Sequence, residues 1–493
     1  MIKLFKKNLS GFLWLLSGTA LESILKILVI SVLARLISPS QFGIVGVALI
    51  VIGFSKIFTQ MGVGPALVQR KNLEINHIRT GFSLSILMGL FFGISLFFLS
   101  NIIADFFKMI DLVVMLKTIA FVFVFESFSL VAESLSQRNM KFKRISIISL
   151  ISFVVGYGLV GITLGFLEFG AWALIWAYIS QTFIKTILFL IIQKHTKKII
   201  FDLKSLKELL YFGGGFTIAK IANYIAGQGD NIIIGKVLGD VSLGIYGRAY
   251  QFMVMPVGLF CSAMDKVLFP LLTKFQDDKK SMRDIYFKGI NSIALIALPL
   301  SVIVYIIAPE IINLFLGDSW EEVILPFRIL SISLLFRMSY RVSDSLARAT
   351  GEVYKRANIQ IIYAVIVLFM SWLGTKWGIN GVALAVVISI FINFILLANL
   401  SLKLINGSWS SFINEHFKGF QLSLIIFFWT YCSVYVLRIL SESSLFILSV
   451  FSVLLLLLLY FLYRYMPIKI LGIRNVNLIN QFLNKHNDKG VDR

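Results

Sequence analysis

Fourteen long apolar segments follow one another along this chain, separated by short polar loops. They run over roughly 11–34, 42–66, 80–102, 112–135, 145–167, 170–192, 212–235, 242–271, 288–309, 323–347, 357–376, 378–400, 419–437 and 445–463. Each is long enough to cross the ~30 Å hydrocarbon core of a bilayer as a helix. No water-soluble packing can bury that many such segments. The residues are 58% hydrophobic and 14% charged, whereas soluble domains carry about 25% charged residues. A large soluble enzyme, a disordered protein and a disulfide scaffold are excluded. The expected fold is an all-α polytopic membrane protein. Cys261 and Cys432 both lie in apolar runs and read as small buried residues.

Charge sets the orientation. With the amino terminus inside, the inside segments hold 31 Lys and Arg, while the outside loops hold five: Arg35, Lys108, Lys236, Lys376 and Arg438. That asymmetry places both termini in the cytoplasm. The net charge of +21 therefore reports cytoplasmic loops, and nucleic acid is not expected as a partner. Lys3, Lys6 and Lys7 precede the first apolar segment as in a signal peptide. The apolar pattern continues past Glu22 to Ala34, so the segment reads as a retained span.

The chain repeats itself. At a shift of 201, Gly43, Ile44, Gly46 and Ala48 match Gly244, Ile245, Gly247 and Ala249. At 211, Val131, Glu133, Ser134 and Leu135 meet Val342, Asp344, Ser345 and Leu346. Each copy holds six spans, an even number, so both enter the membrane from the same side. Parallel repeats are related by an axis along the membrane normal. The expected organisation is an N-lobe over 1–193, a linker over 194–210, a C-lobe over 211–402, two further helices over 403–465 and a cytoplasmic tail over 466–493. Ile199, Leu203, Leu206 and Leu210 fall at helical spacing and predict an amphipathic interfacial helix in the linker.

Sixteen charges lie inside the spans. The bases are Lys26, Lys56, Lys117, Lys185, Lys220, Arg248, Lys266, Arg328, Arg337 and Arg341; the acids are Glu22, Glu126, Glu133, Asp230, Asp265 and Asp344. Each costs on the order of 3 kcal/mol facing lipid at mid-depth. Together they would come to roughly 50 kcal/mol, far beyond a net stability of about 5–15 kcal/mol. They must face a hydrated cavity, face one another, or snorkel.

Helical spacing groups them. Arg337, Arg341, Asp344 and Arg348 fall on one stripe, as do Glu126, Glu133 and Gln137. Glu22 and Lys26 sit one turn apart, the spacing of a salt bridge. Lys220, Asn223, Gly227 and Asn231 share a face, and the run Gly227–Gln228–Gly229–Asp230–Asn231 predicts a kinked or unwound segment beside a cavity. Lys117, Arg248 and Arg328 lie near the outer ends, where snorkelling is an alternative. Ten bases against six acids leave an excess of positive charge that suits an anionic ligand, such as a phosphate or an acidic sugar. The expected substrate contacts are Arg337, Arg341, Arg248, Arg328, Lys56, Lys117, Lys26 and Lys220. The carboxylates that could couple transport to a proton or sodium gradient are Asp230, Glu126, Asp344 and Glu22.

No Walker A sequence occurs: at Gly235-Lys236 the next residue is Val237. No HExxH or Cys/His cluster suggests a metal. The longest outer loop, near Pro309–Glu322, has no base or histidine. A membrane glycan ligase or polymerase would need more catalytic surface than that, and a transporter rather than an enzyme is expected.

The stretches Leu33–Ala48 (LARLISPSQFGIVGVA), Met61–Arg70 (MGVGPALVQR) and Phe315–Trp320 (FLGDSW) resemble the polysaccharide transporter family. The resemblance is closest to the Wzx-like exporters of O-antigen, capsule and colanic-acid-type polymers, within the multidrug/oligosaccharidyl-lipid/polysaccharide exporter superfamily. It implies two helix bundles around a central cavity that opens alternately to each side. It implies flipping of an undecaprenyl-diphosphate-linked oligosaccharide across the inner membrane, with a polysaccharide polymerase and glycosyltransferases as partners. The alternative is a multidrug exporter of the same superfamily, for which an acid-dominated cavity is expected. A membrane scaffold without a transport cycle would not need charge on several spans.

Overall fold

In the computed structural model, which describes residues 18, 21–60 and 62–465, every regular element is a helix and no strand occurs among the described residues. Lipid offers the backbone no hydrogen bonds, so apolar runs of this length close their own i→i−4 ladder. Among the described residues, nine helices are long and apolar enough to cross a membrane, or ten if the bent pair Asp318–Ser331 and Leu334–Ala349 is one span. One of the nine, Val353–Leu404, is 52 residues long and turns at Gly378, where φ is +65°. Residues 21–36 are helical as well. Two further long helices, Leu203–Val237 and Gly239–Lys274, are more polar. The whole is consistent with fourteen spans. The tail 466–493 and the side chains of Asp265 and Lys266 lie outside the described residues.

The elements used below are α1 (Pro39–Gln60), α2 (Val63–Gln69), α3 (Ile75–Phe107), α4 (Leu112–Ile119), α5 (Phe121–Arg138), α6 (Phe142–Phe153), α7 (Ala171–Ile192), α8 (Leu203–Val237), α9 (Gly239–Lys274), α10 (Lys279–Ile306), α11 (Ala308–Phe315), α12 (Ile324–Ser331), α13 (Leu334–Ala349), α14 (Val353–Gly374), α15 (Gly378–Leu404), α16 (Trp409–Leu440) and α17 (Ser444–Tyr465). The chain forms two compact units. One holds Met1–Arg248, Phe315–Trp320 and Gln360–Val382; the other holds Ala249–Leu314, Glu321–Ile359 and Ala383–Arg493.

In the first unit, the span expected over 42–66 stops early. Gly62 takes a left-handed φ of 65°, which glycine adopts without strain, and α2 starts anew. Arg138, at the end of α5, caps α2. Its guanidinium donates to the carbonyls of Leu67 at 3.1 Å, Val68 at 3.0 Å and Lys71 at 3.2 Å. The Leu67 and Val68 carbonyls are among those that the end of α2 leaves without intrahelical donors, and Lys71 lies just past it.

The predicted linker helix is not a separate element. Residues 194–202 are non-helical. The Asp202 side chain accepts from the Ser205 backbone N–H at 2.9 Å, an N-cap that starts α8 at Leu203. The helix then runs 35 residues without interruption. The expected break at Gly227–Asn231 is therefore absent. Gly229 serves packing instead: a Cβ there would lie 2.9 Å from Leu368.

The starts of α1 and α9 cross backbone to backbone. A Cβ on Gly43 would lie 1.8 Å from the Asp240 carbonyl oxygen, and one on Gly244 would lie 1.9 Å from that of Pro39. Only glycine permits such an approach. Ser40 Oγ also donates to the Asp240 carboxylate. Beside this crossing Trp320, fully buried, donates its Nε1–H to the Ala34 carbonyl at 2.8 Å and sets its ring edge-on to Phe42 at 5.4 Å.

In the second unit, α10 and α16 pack closely: a Cβ on Gly419 would lie 2.5 Å from the Ala294 carbonyl oxygen. Arg438 ties α16 to α11 through a two-pronged pair with Glu310, at 2.7 and 3.0 Å. Tyr286 and Ser343 join α10 to α13 through their hydroxyls at 2.9 Å.

Candidate functional site

Helices α1, α2, α5, α7 and α8 enclose a cavity of about 380 Å³ in the first unit. The long stripe of α5 faces it, because Glu126, Glu133 and Gln137 recur at i, i+7 and i+11. Opposite them α7 presents Thr182 and Lys185, three residues apart. Lys56 and Gln60, one turn apart on α1, and Lys220 of α8 complete the charged lining.

The cavity charges are held in pairs. Lys185 Nζ donates to Glu133 Oε2 at 2.9 Å. Lys56 pairs with Glu126 and donates to the Tyr178 hydroxyl, and its ammonium lies 5.0 Å from the centre of the Tyr178 ring. Lys220 Nζ donates to Gln60 Oε1 at 3.2 Å. Three bases against two acids make the lining formally positive. The serine hydroxyls of α5 donate to their own helix, as Ser129 does to the Glu126 carbonyl at 3.1 Å and Ser134 to that of Leu130 at 2.7 Å. Their remaining lone pairs can accept. An ammonium that keeps one carboxylate retains further N–H donors, and a carboxylate has acceptor sites to spare. Such a surface can exchange hydrogen bonds with many hydroxyls at once while favouring an anion.

Of the residues expected from sequence, Lys56, Lys220 and Glu126 meet here. Arg248 sits elsewhere in the same unit, its guanidinium stacked 4.4 Å from the Phe42 ring at the glycine crossing. Glu22 and Lys26 form their i,i+4 pair at 2.8 Å. Lys117 lies over the Phe97 ring at 5.3 Å. Asp230 is buried and accepts from the Tyr246 hydroxyl at 2.7 Å and the Asn231 N–H at 2.9 Å.

The remaining expected residues belong to the second unit. Arg337 is buried; it donates to the Tyr250 hydroxyl at 3.2 Å and stacks on that ring at 4.9 Å. Arg341 is exposed and lies 5.2 Å from the Tyr340 ring. Asp344 is shared between Arg348, at 3.2 Å, and Arg356. Arg328 donates to the Tyr305 carbonyl at 3.1 Å.

Glu133, Lys185, Gln60 and Tyr178 were not singled out as site residues. Two signals pointed to Tyr178, Lys185 and Glu133. Tyr178, Thr182 and Lys185 recur at i, i+4 and i+7, a polar stripe on an otherwise apolar span. Glu133 and Gln137 continue the stripe that begins at Glu126.

Residues 32–325 match the model of a family described as polysaccharide biosynthesis protein. The chain is 26% identical over 463 residues to a Klebsiella pneumoniae protein named uncharacterized membrane protein in cps region, covering 90% of this chain and 95% of that one. It is 25% identical over 428 residues to lipopolysaccharide biosynthesis protein WzxC of Escherichia coli (strain K12), covering 86% and 87%. Its fold is similar to that of the lipid II flippase MurJ in an inward closed conformation, with a TM-score of 0.72, 18% identity, and 91% and 98% of the two chains covered.

Proposed function

Because this chain belongs to the polysaccharide biosynthesis protein family, we propose that it is a flippase that moves an undecaprenyl-diphosphate-linked oligosaccharide across the inner membrane by alternating access. The cavity among α1, α5, α7 and α8 carries the reading. Three lysines, two glutamates and a ring of hydroxyl and amide groups match a ligand that is both polyhydroxylated and anionic. A multidrug exporter for cations would be served by an excess of acids, and here bases exceed acids. The lipid tail needs no polar site, since it can stay in the bilayer. Arg337 and Arg341 are further phosphate contacts in this reading, because a planar fork suits a phosphate.

The protein supplies binding and a path rather than a bond-breaking step. Its substrate would be made by glycosyltransferases on the inner face and used by a polymerase on the outer face, with both termini inside. Asp230 would couple movement to a proton gradient. Sodium is the alternative coupling ion, although the helix break that would free backbone carbonyls for it is absent from α8.

The test is flipping of a lipid-diphosphate-linked oligosaccharide by the purified protein in liposomes. Lys185→Met/Glu133→Gln should abolish flipping while the protein stays folded and monodisperse. Flipping at the wild-type rate would sink the assignment of this cavity. Asp230→Asn should remove any response to an imposed proton gradient. Equal flipping with and without the gradient would make the protein a facilitator driven by consumption of its substrate.

A further inference from the structure

The segment 194–211 carries two kinds of exposed side chain that are seldom exposed together. Ile199, Phe201 and Leu203 are 68%, 49% and 80% exposed. Lys194, Lys197, Lys198, Lys204 and Lys207 are exposed around them. The backbone fixes the segment in place. Residues 194–202 are non-helical and are bound to α3 along one edge. The Ile200 N–H donates to Ser83 Oγ at 2.9 Å, the Asp202 N–H to Thr80 Oγ1 at 3.1 Å, and Arg79 Nε to Thr196 Oγ1 at 3.2 Å. The side chains at 199, 201 and 203 stay open to the outside, and Ile200 beside them is 36% exposed. Just beyond, Leu206, Leu209 and Leu210 turn inward against Val63, Leu67 and Phe82, so the outward residues are not unfilled core positions.

The acids nearby are already engaged. Asp202 caps α8 through Ser205 at 2.9 Å. Glu208 accepts from Arg70 at 2.7 Å and lies 2.9 Å from His77 Nε2. Hydrogen bonds to Ser205 hold the Asp202 carboxyl below its usual range, and the bond to His77 holds that of Glu208 below its own. Both stay charged and neither neutralises the lysine rim as a whole: five lysines face two acids. Lys141, which donates to Gln193 at 2.9 Å, brings a further base to the start of the segment.

The segment lies against the first turns of α3 and leads into the start of α8. Three outward apolar side chains ringed by lysines are what an interfacial anchor requires: apolar groups to enter the acyl boundary and cations to meet the phosphates above it. We propose that residues 194–211 form a strap that inserts Ile199, Phe201 and Leu203 into the facing leaflet and binds the headgroups of anionic glycerophospholipids through Lys194, Lys197, Lys198, Lys204 and Lys207. The strap is fixed to α3 by backbone hydrogen bonds, so it is preorganised for the lipid surface.

The full-length protein, reconstituted in an equal mixture of phosphatidylglycerol and phosphatidylcholine and re-extracted in mild detergent, tests this by mass spectrometry of the phospholipid retained per protein. The wild type should retain phosphatidylglycerol several-fold over phosphatidylcholine, and high salt should reduce that preference. Lys197→Gln/Lys198→Gln, at exposed positions outside the helices, should lower that preference to roughly half at low salt. The five-lysine variant should abolish it. Ile199→Ser/Phe201→Ser/Leu203→Ser should reduce retention of both lipids and leave the preference. An unchanged preference in the double and five-lysine variants overturns the proposal. So does an equal fall of both lipids in the lysine variants, which would show no headgroup selection.

Discussion

Gly43 and Gly244 make the same contact in reciprocal: each faces the carbonyl four residues before the other, at 1.8 Å and 1.9 Å from where a Cβ would stand. The two glycines align in the sequence at a shift of 201. This reciprocal contact needs a position without a Cβ on each side. Here it joins the first turns of α1 and α9, with Arg248 stacked on Phe42 beside it.

Substitution at the crossing should therefore be costly at both positions alike. Gly43→Ala and Gly244→Ala should each destabilise by about 1–3 kcal/mol or more, since backbone must move to admit the methyl. Gly46→Ala is the control, because its Cβ would find only ordinary contact with Leu243 at 3.7 Å. Thermal unfolding in detergent should rank Gly46→Ala near the wild type and the other two well below it.

Trp320 joins the FLGDSW loop to the chain just before α1. Trp320→Phe keeps a ring against Phe42 but leaves the Ala34 carbonyl without that donor, a loss of about 1–3 kcal/mol. Trp320→Ala loses the ring too and should cost about 3–5 kcal/mol. Unfolding midpoints should fall in that order. Equal midpoints for both variants would deny the hydrogen bond a separate share.

In the cavity, Lys185→Met strands Glu133, and Glu133→Gln strands the ammonium of Lys185. Both side chains are about one-third exposed or less, at 32% and 26%. Each single change should cost about 1–3 kcal/mol, between the limits for surface and buried pairs. The double variant should recover most of that stability. A double-mutant cycle on unfolding midpoints reads the coupling directly.

Glu208 gives an acid-sensitive contact. Its carboxyl is held below its ordinary value of 4.5, first by the hydrogen bond to His77 and then by the Arg70 charge. A depressed carboxylate contributes stability that is fully present above its unfolded pKa and is lost as pH falls through the folded value. Wild-type midpoints should thus decline below about pH 4.5 more steeply than those of Glu208→Gln, and the two curves should converge in acid. Parallel curves would place the acid sensitivity elsewhere.

Orientation is checked separately. Reporter fusions at His77, His195 and the carboxyl terminus should all report cytoplasm, as the 31-to-5 distribution of bases requires. A periplasmic signal at His195 would remove the even number of spans per repeat.

The membrane class, the all-helical architecture and the family were legible in the residues themselves. Hydropathy and the positive-inside rule act on local composition, and helix formation in lipid is compelled wherever an apolar run is long enough. The stripe Glu126–Glu133–Gln137 was legible too, because helical periodicity puts those residues on one face. Which charges meet was not. Lys56 finds Glu126, seventy residues away, and Lys185 finds Glu133; periodicity gives the face of each helix but not the helix it faces. The misread α8 makes the same point. Gly227 and Gly229 suggested an unwound span, since glycine weakens an isolated helix. Packing decided otherwise, with Gly229 seated close against Leu368. The sequence by itself determined that this is an all-helical protein that crosses the membrane many times. Only the tertiary structure decided whether a glycine breaks a helix or lets another approach, because that depends on neighbours far away in the chain.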